Sequence, residues 1–304
     1  MKSLSGQFIP LNPQSDLTIA DCKSMIGRYF RANSPHLCIV EYLNLDFVLE
    51  AIPPHIATLL DTHDLVSRRK ESFDKFGLVH VNNEDLSLRD ELERLKKFDF
   101  VALISRQDFQ DVYPHLDGKA LLVPHSITVR RSVLRTKVSN VTFVGSEYPP
   151  NVHGIEWFID NVWKTFRSNM QLHIVGRVAK KLSSQYTDGT NIFVHGFVAD
   201  LDAIYAQADI VINPVVAGAG IKIKSLEAIA YSVPLVSSPH SAECIGQHAE
   251  QFCMTATHVE DWKEALTRLR DSIDVRRSLV EQARVYVEQN YSADKCYNEI
   301  LRLL

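Results

Sequence analysis

The sequence lacks any apolar run that approaches the roughly 20 residues needed to span a bilayer. It also begins without the apolar core of roughly 7–15 residues that a secretory signal peptide carries, so we expect none. Its five cysteines are scattered, and no two of them form a CxxC pair. We therefore expect reduced thiols and a cytoplasmic location.

Charge of one sign is not in large excess either. The 304 residues include 33 Lys and Arg against 37 Asp and Glu, and the net charge of −4 argues against a general nucleic-acid-binding role. Apolar residues make up 45% of the chain and charged residues 23%, a balance typical of a folded globular protein rather than a disordered one. The length suggests two domains of ordinary size.

Short apolar runs alternate with longer amphipathic stretches along most of the chain. The short runs favour strands, and the longer stretches have helical periodicity. This alternation predicts parallel sheets that helices cover on both faces. We predict strands at 37–42, 56–61, 100–104, 120–124, 141–145, 172–176, 192–194, 209–214 and 234–237, and helices at 86–98, 155–166, 200–208, 221–231 and 261–270, with two more between 275 and 304.

A polar, basic stretch at 128–140 separates two such alternating blocks, and its shortage of core residues is typical of a linker. The predicted fold class is therefore α/β, with two doubly wound Rossmann-like domains facing a cleft, where the carboxyl ends of strands bind ligands. We predict a first domain at 1–128, a linker at 129–140, a second domain at 141–285 and a C-terminal helix within 286–304 that packs back on the first domain.

A glycine-containing loop, Gly218-Ala219-Gly220, joins the predicted strand at 209–214 to a predicted helix. Glycines allow the backbone to approach a ligand closely, and free N–H groups in a helix's first turn attract anions. Lys222 and Lys224 stand in that turn, where each cation opposes the helix dipole by about 0.3–1 kcal/mol. Two such lysines are better explained by a nearby polyanion such as a diphosphate, and Glu227 one turn later can accept hydrogen bonds from a diol.

A simpler interpretation of the same residues stays open. Lys224 and Glu227 are three residues apart and can form a surface ion pair worth about 0.2–0.5 kcal/mol. Gly218 and Gly220 do not complete a GxGxxG pattern. Their placement between a strand and a helix nevertheless favours a phosphate site.

Two sets of side chains could bind a metal ion. The sets are His240, Cys244 and His248, and Asp61, His63 and Asp64. The first set would align on one helix face, but Gly246 interrupts the segment and the spacing matches no closed zinc motif. For both sets we favour a role without a metal.

Several ordered motifs between Val141 and Gly246 cover about a third of the chain. They are Phe143-Val144-Gly145-Ser146, Pro150-Asn151, Gly154-Ile155, Trp157-Phe158, Leu172-His173-Ile174-Val175-Gly176, His195-Gly196-Phe197-Val198-Ala199-Asp200-Leu201, Asn213-Pro214, Gly218-Ala219-Gly220-Ile221-Lys222-Ile223-Lys224, Glu227-Ala228 and Pro234-Leu235-Val236. Together they resemble the donor domain of retaining glycosyltransferases of family 4, also called the glycosyl transferases group 1 family. The resemblance implies a GT-B-like fold.

The resemblance also implies a nucleotide-sugar site. In that family the carboxylate that corresponds to Glu227 binds the ribose, the loop ahead of it wraps the sugar and diphosphate, and the segment after the His-Gly strand packs on the nucleobase. The donor-binding residues implied in this way are Gly145, Ser146, Asn151, Gly196, Phe197, Val198, Gly218, Ala219, Gly220, Ile221, Lys222, Lys224 and Glu227.

The sequence departs from the family pattern around the diphosphate. The family commonly has a Glu eight residues before the second one, where Ala219 stands here, and its usual Arg and Lys are missing near Ser146 and Asn151. The subgroup with a Gly-Ala-Gly loop shares these features. We therefore assign neutralisation of the diphosphate to Lys222, with Lys224 as the second cation.

The first block resembles the acceptor domain of the same family at Glu41-Tyr42-Leu43, Leu60-Asp61-Thr62-His63-Asp64, Arg68-Arg69 and Ser105-Arg106. His63 follows the predicted strand at 56–61, and a His at this place in the family faces the transferred sugar, to which it can donate a hydrogen bond. His63 could instead be a loop residue, with Asp64 capping a helix at 65–73. The catalytic candidates are His63, Lys222 and Glu227, and the acceptor-side candidates are Asp64, Arg68, Ser105, Arg106 and His125.

The resemblance implies a hexosyltransferase-type enzyme of polysaccharide biosynthesis. It would move a sugar from a nucleotide-diphosphate sugar, such as a UDP-sugar, to a glycan or lipid-linked acceptor with retention of the anomeric configuration. The family relies on lysines and helix dipoles, so we expect no metal and no cofactor, the nucleotide-sugar being a co-substrate. The alternatives are a catalytically inactive nucleotide-sugar-binding partner subunit and, less favoured, a nucleotide-sugar epimerase.

The family's N-terminal domain normally opens with two or three strands and a Gly-rich loop. Here about 35 residues precede the predicted strand at 37–42, and 8–11 is at best a strand remnant. We expect an abbreviated domain whose exposed sheet edge a second copy or a partner chain could cover. The basic runs at 68–70 and 130–131 could contact an acidic membrane surface peripherally, and nucleic acid is not an expected partner.

Overall fold

The computed structural model describes residues 18–79, 86–130, 132–166, 168–186, 191–246 and 248–303, so the predicted strand remnant at 8–11 and Arg131 lie outside the described residues. In this part of the chain the strands form two parallel sheets, one of four strands and one of six. The predicted α/β fold with two Rossmann-like units is confirmed. The domain boundaries at 128, 140 and 285 stay predictions.

The first sheet has the strand order β1-β2-β3-β4, and all its neighbouring strands are parallel. Its strands are β1 (Leu37–Glu41), β2 (Ala57–Asp61), β3 (Phe100–Leu103) and β4 (Ala120–Leu122), and its helices are α1 (Ile19–Ala32), α2 (Val66–Phe76), α3 (Leu88–Leu95) and α4 (Arg106–Val112), with a 3₁₀ helix at Leu43–Ala51. Leu60, Phe98 and Leu103 are buried in the core between this sheet and its helices. Glu41 is in register with Asp61, so their carboxylates stand at the same edge of the sheet.

The second sheet has the strand order β10-β9-β8-β5-β6-β7. Its strands are β5 (Asn140–Val144), β6 (Gln171–Val175), β7 (Ile192–Gly196), β8 (Ile210–Asn213), β9 (Leu235–Ser237) and β10 (Met254–Thr255). Because β6 and β7 lie on one side of β5 and the later strands on the other, the winding direction reverses between β5 and β8. Ligands bind at such a switch point in open parallel sheets.

Helices cover both faces of the second sheet. They are α5 (Pro149–Asn161), α6 (Leu201–Gln207), α7 (Ile223–Ala230), α8 (Pro239–Ala242), α9 (Val259–Asp271), α10 (Ile273–Asn290) and α11 (Ala293–Leu301). Along β8, Ile210 and Ile212 enter the core that contains Trp262, whereas Val211 enters the core that contains Leu226. No helix in the described ranges combines the length and the apolar character that a membrane crossing requires.

The C-terminal helix α11 packs on the first sheet. Tyr297 and Ile300 lie against Leu59 and Val123, and Ser126 Oγ donates to Tyr297 Oη at 3.0 Å. The end of the chain therefore returns to the first unit and ties the two sheets together.

The segment after β9 does not form the helix face that the zinc interpretation of His240, Cys244 and His248 requires. Helix α8 ends at Ala242, a 3₁₀ turn follows, and Gly246 then has a φ of +87°. The three side chains are not among the potential metal-ligand groups of the described residues. This interpretation is wrong, because the chain changes direction between the second and third residue.

Candidate active site

The loop at 214–222, which joins β8 to α7 at the switch point, is anchored at both ends. Asn213, the buried last residue of β8, donates from Nδ2 to Ser225 Oγ at 2.9 Å, and Ser225 Oγ donates to the carbonyl of Ser241 at 2.7 Å. Between these anchors φ is +119° at Gly218 and +71° at Gly220, values that residues with a side chain rarely adopt. The two glycines therefore determine the path of the loop into α7.

The same loop contacts the first sheet's unit across the cleft. The N–H of Gly218 donates to Ser72 Oγ of α2 at 2.9 Å. A Cβ added at Gly220 would lie 2.7 Å from the carbonyl oxygen of His63, which is closer than real Cβ atoms approach. The loop at 218–222 and His63, which the sequence predicted as two halves of one site, are therefore neighbours. Their catalytic roles stay predictions.

Lys222 occupies the N-cap position of α7, and no side chain caps this end of the helix. Its side chain is only 12% exposed, and its Nζ lies 3.7 Å from Glu243 Oε2. Nζ also donates to the carbonyl of Gly220 at 3.0 Å. The ammonium is therefore held over the loop, beside a helix terminus that attracts anions.

Lys224 is half-buried, so a solvated surface ion pair with Glu227 does not describe it. Burial lowers the pKa of Lys224, the charge of Glu227 raises it, and the charge of Lys222 lowers it again. Two lysines and a carboxylate thus share a partly buried region at the start of α7. A bound polyanion would relieve the repulsion between the two cations.

Glu227 is half-buried, and its Oε2 accepts a hydrogen bond from Tyr205 Oη at 3.1 Å. Burial raises its pKa, whereas the hydrogen bond from Tyr205 and the charges of Lys224 and His125 lower it. Tyr205 is itself fully buried and stacks on Tyr231 with 4.3 Å between ring centroids. Sequence reasoning missed Tyr205, since one aromatic residue in an amphipathic helix is more often core than a support for a carboxylate.

The turn after β5 is closely packed. A Cβ at Gly145 would lie 2.8 Å from the Phe143 ring, and a Cβ at Gly176 would lie 2.2 Å from the carbonyl oxygen of Gly145. Asn151, which is buried, donates from Nδ2 to the carbonyl of Ser146 at 3.1 Å and to its Oγ at 3.0 Å. These contacts shape the turn, and the predicted donor-binding role of Gly145, Ser146 and Asn151 stays a prediction.

The segment after β7 presents an exposed aromatic ring. Gly196 ends the strand with a φ of +65°, and the next residue, Phe197, is 70% exposed. Val198 is half-buried. An apolar ring left in solvent at the carboxyl edge of the sheet is available to stack on a planar ligand, as the sequence predicted for the nucleobase.

His63 lies just after β2 with a φ of +59°, and its Nε2 donates to Glu41 Oε2 at 2.6 Å. The ring of Tyr42 stacks on the imidazole, with 4.1 Å between ring centroids. The sequence resemblance includes Glu41 in a motif of the first block but gives it no role in the site. The sequence did offer a signal for this contact. Glu41 lies at the end of the predicted strand at 37–42, and the next predicted strand, at 56–61, ends just before His63.

Glu41, Asp61 and His63 could together bind a metal ion, because their ligand atoms lie within 4.8 Å of one another. Burial raises the pKa of Asp61, the charge of His63 lowers it, and that of Glu41 raises it. Asp64, which the sequence grouped with Asp61 and His63, is not a member of this cluster. The expectation that no metal binds in the cleft stays a prediction.

Asp64 does not cap α2, as the simpler interpretation of His63 assumed. The N-cap residue is Leu65, and both Asp64 carboxylate oxygens accept from Arg69 Nη1 at 3.0 Å. Burial raises the pKa of Asp64, while the charge of Arg69 lowers it. Asp64 therefore has a half-buried ion-pair partner in α2.

The N-terminus of α2 is capped from α3 instead. Glu91 is 1% exposed and accepts from the N–H of Val66 at 2.8 Å and from the N–H of Ser67 at 2.9 Å. The hydroxyl of Ser67 donates to the same carboxylate at 2.5 Å. The sequence carried no signal for this cap, because Glu91 is one of many charged residues in the predicted helix at 86–98.

The remaining acceptor-side candidates differ in their surroundings. Arg68 pairs with two carboxylates of α4: its Nη1 lies 3.2 Å from Asp108 Oδ1, and its Nε lies 3.2 Å from Asp111 Oδ2. Ser105 Oγ accepts from the N–H of Asp108 at 3.0 Å and thereby caps α4. The other two candidates, Arg106 and His125, are exposed, and the charge of His125 helps to lower the pKa of Glu227.

Residues 138–272 match a family model described as glycosyl transferases group 1. Among curated proteins, an uncharacterized 44.6 kDa protein in the cps region of Klebsiella pneumoniae is 25% identical over 222 residues. That similarity covers 67% of this chain and 56% of the relative, so the chain spans little more than half of its length.

Solved structures resemble nearly the whole chain. Sucrose-phosphate synthase from Thermosynechococcus elongatus has a TM-score of 0.72 at 16% identity, covering 94% of this chain and 77% of that one. HepE from Anabaena, solved in complex with UDP, has a TM-score of 0.70 at 14% identity, covering 93% and 80%. The fold is therefore GT-B, and the family 4 and Gly-Ala-Gly-loop assignments stay predictions.

Proposed function

We propose that this protein is a retaining, metal-independent hexosyltransferase that moves a sugar from a nucleotide-diphosphate sugar to a glycan or lipid-linked acceptor. The match of residues 138–272 to the glycosyl transferases group 1 model and the GT-B fold support glycosyl transfer. The UDP bound to HepE supports a uridine nucleotide in the donor. Retention, metal independence and the acceptor class come from the sequence resemblance.

In this proposal the diphosphate of the donor lies over the first turn of α7. Lys222 and the free N–H groups of that turn stabilise the negative charge that develops on the departing diphosphate. Ribose hydroxyls donate to Glu227, whose carboxylate is held by the hydrogen bond from Tyr205. Phe197 stacks on the base.

The contact between the loop at 218–222 and His63 carries the proposal. The contact supports a cleft that is shared by the loop with the groups suited to a diphosphate and by His63, whose imidazole suits a sugar hydroxyl. A donor bound over α7 would therefore bring its sugar towards His63, and an acceptor could approach from the first unit.

Thermal-shift measurements with UDP-, GDP- and ADP-sugars test the donor site. The nucleotide-sugar that raises the melting temperature is then tested for slow hydrolysis by the protein, which measures turnover. Glu227→Ala should remove both the shift and the hydrolysis. Glu260→Ala is the matched control, because Glu260 is 81% exposed and pairs with Lys263 of α9 at 2.9 Å.

The outcomes separate the alternatives. Donor binding without hydrolysis or transfer to any acceptor would favour the inactive partner subunit, and release of an epimerised nucleotide-sugar would favour the epimerase. A melting temperature that no nucleotide-sugar changes would contradict the proposal.

A further inference from the structure

Glu41 and His63 stand at the ends of adjacent parallel strands. Glu41 is the last residue of β1 and is in register with Asp61, the last residue of β2, and His63 follows two residues later. The distance of 2.6 Å between His63 Nε2 and Glu41 Oε2 is that of a strong, charge-assisted hydrogen bond. Sheet register, rather than a flexible loop, therefore brings the two side chains together.

The backbone on both strands is adapted to this arrangement. Tyr42 has a φ of +68° and His63 a φ of +59°, values that residues with a side chain rarely adopt. The ring planes of Tyr42 and His63 lie within 15° of each other. Such conformations persist where the surrounding structure requires them, and they concentrate at functional sites.

Glu41 takes part in no other ion pair among the described residues. Its side chain and that of His63 remain 47% and 38% exposed, so the pair is accessible from solvent. On the other side, the carbonyl of His63 lies against Gly220. The His63 backbone therefore packs against the loop at 218–222, while its ring contacts Glu41 and Tyr42.

We infer that Glu41 is a positioning residue that orients His63 and selects the ring nitrogen that meets the substrate. An ionised carboxylate accepts hydrogen bonds and cannot donate them, so the contact requires a proton on Nε2. Nδ1 is then the nitrogen left for a sugar or acceptor hydroxyl. The neutral ring presents Nδ1 as a hydrogen-bond acceptor, in place of the donor role that the sequence resemblance implies for His63. This inference rests on the proposed glycosyl transfer and adds Glu41 to its machinery.

Glu41→Ala should lower kcat roughly 10–100-fold, the effect typical of removing a group that orients a functional imidazole. The KM for the donor should change little, because the donor-binding candidates lie in the second unit. Glu41→Gln should restore most of kcat, since the amide oxygen can still accept from Nε2. Glu50→Ala is the control, because Glu50 is 73% exposed and pairs with Lys23 at the surface.

A double-mutant cycle separates positioning from a general structural effect. In a His63→Ala background, Glu41→Ala should have no further effect on kcat. An equal loss of kcat in both backgrounds would overturn the inference. Stimulation by Mn²⁺ that Glu41→Gln removes would make Glu41 a metal ligand and would overturn it as well.

Nitrogen NMR of the imidazole provides a test that needs no turnover, so it stands even if glycosyl transfer is not observed. At a pH where the ring is neutral, His63 should carry its proton on Nε2 in the wild type, with His63→Asn identifying the resonance. In Glu41→Ala the proton should redistribute between Nε2 and Nδ1. An unchanged tautomer in Glu41→Ala would show that Glu41 does not select it.

Discussion

Gly220 lies directly against the backbone of His63, and a Cβ at Gly220 would lie 2.7 Å from the His63 carbonyl oxygen. This contact joins the loop before α7 to the end of β2. The two parallel sheets thereby contribute to one cleft, in which the loop that carries Lys222 lies against the backbone of His63. The architecture of the candidate site depends on position 220 being a glycine, because no side chain fits there.

Gly220→Ala should therefore lower both stability and donor hydrolysis. At a φ of +71°, alanine incurs a strain of about 1–2 kcal/mol, and its methyl group must also displace the His63 carbonyl. Gly118→Ala is the matched control, because its φ is +80° but nothing lies within 4 Å of the added Cβ. Urea unfolding and donor hydrolysis measure the two effects, and an equal loss of hydrolysis in both variants would contradict the role of the contact.

Lys222→Ala should weaken binding of UDP at least about tenfold, the range expected for losing a charge-assisted hydrogen bond. Binding of uridine should change much less, because uridine has no diphosphate. Lys97→Ala serves as the control, since Lys97 is 56% exposed and lies in the first unit near Asp46. Calorimetric titration gives both affinities. A parallel loss for UDP and uridine would mean that Lys222 only supports the shape of the loop.

Donor affinity should depend on pH through Glu227. Burial raises its pKa above the ordinary value, so the ionised form that accepts from ribose hydroxyls is lost at a higher pH than for an exposed glutamate. Affinity for a UDP-sugar should therefore fall as the pH is lowered from about 7 to about 5. Glu227→Gln should bind more weakly but without this dependence, because glutamine does not titrate. A wild-type affinity that stays constant over this range would rule out the assignment.

Glu91→Ala should destabilise the fold by about 2–4 kcal/mol, because it leaves the buried N–H groups of Val66 and Ser67 without their acceptor. Glu93→Ala in the same helix is the control, since Glu93 is exposed and pairs with Lys96 three residues away. Urea unfolding of the two variants measures the difference. If both unfold at the same urea concentration as the wild type, the cap does not stabilise α2.

Most strands were predicted from sequence, because strands of a parallel sheet covered on both faces read as short apolar runs. For example, the predicted strand at 172–176 is observed at Gln171–Val175, a shift of one residue. Helix α1 (Ile19–Ala32) was missed although it has 14 residues. Two other missed elements are short: β10 has only two residues, and α4 has seven, with the sequence RQDFQDV. Windows of that length contain too few positions to show a period.

Some residues of the candidate site could likewise be predicted from sequence, and others could not. Gly218, Gly220, Lys222 and Glu227 could be singled out from sequence because they are close together and follow one strand. Glu41, Ser72 and Tyr205 could not, since each meets its partner only through sheet register or packing between distant segments. Sequence proximity left open a role for Asp64 as a helix cap, and the structure gives that role to Glu91.

Local order along the chain thus determined the α/β alternation, the glycine loop and the cations at its end, because backbone conformation and periodicity are encoded within a few residues. Only the tertiary structure decided that the loop touches His63, that Glu41 holds the imidazole and that Glu91 is buried. Those relationships depend on which strands pair and which helices pack together. Strand pairing and helix packing are determined jointly by residues that are far apart in the sequence.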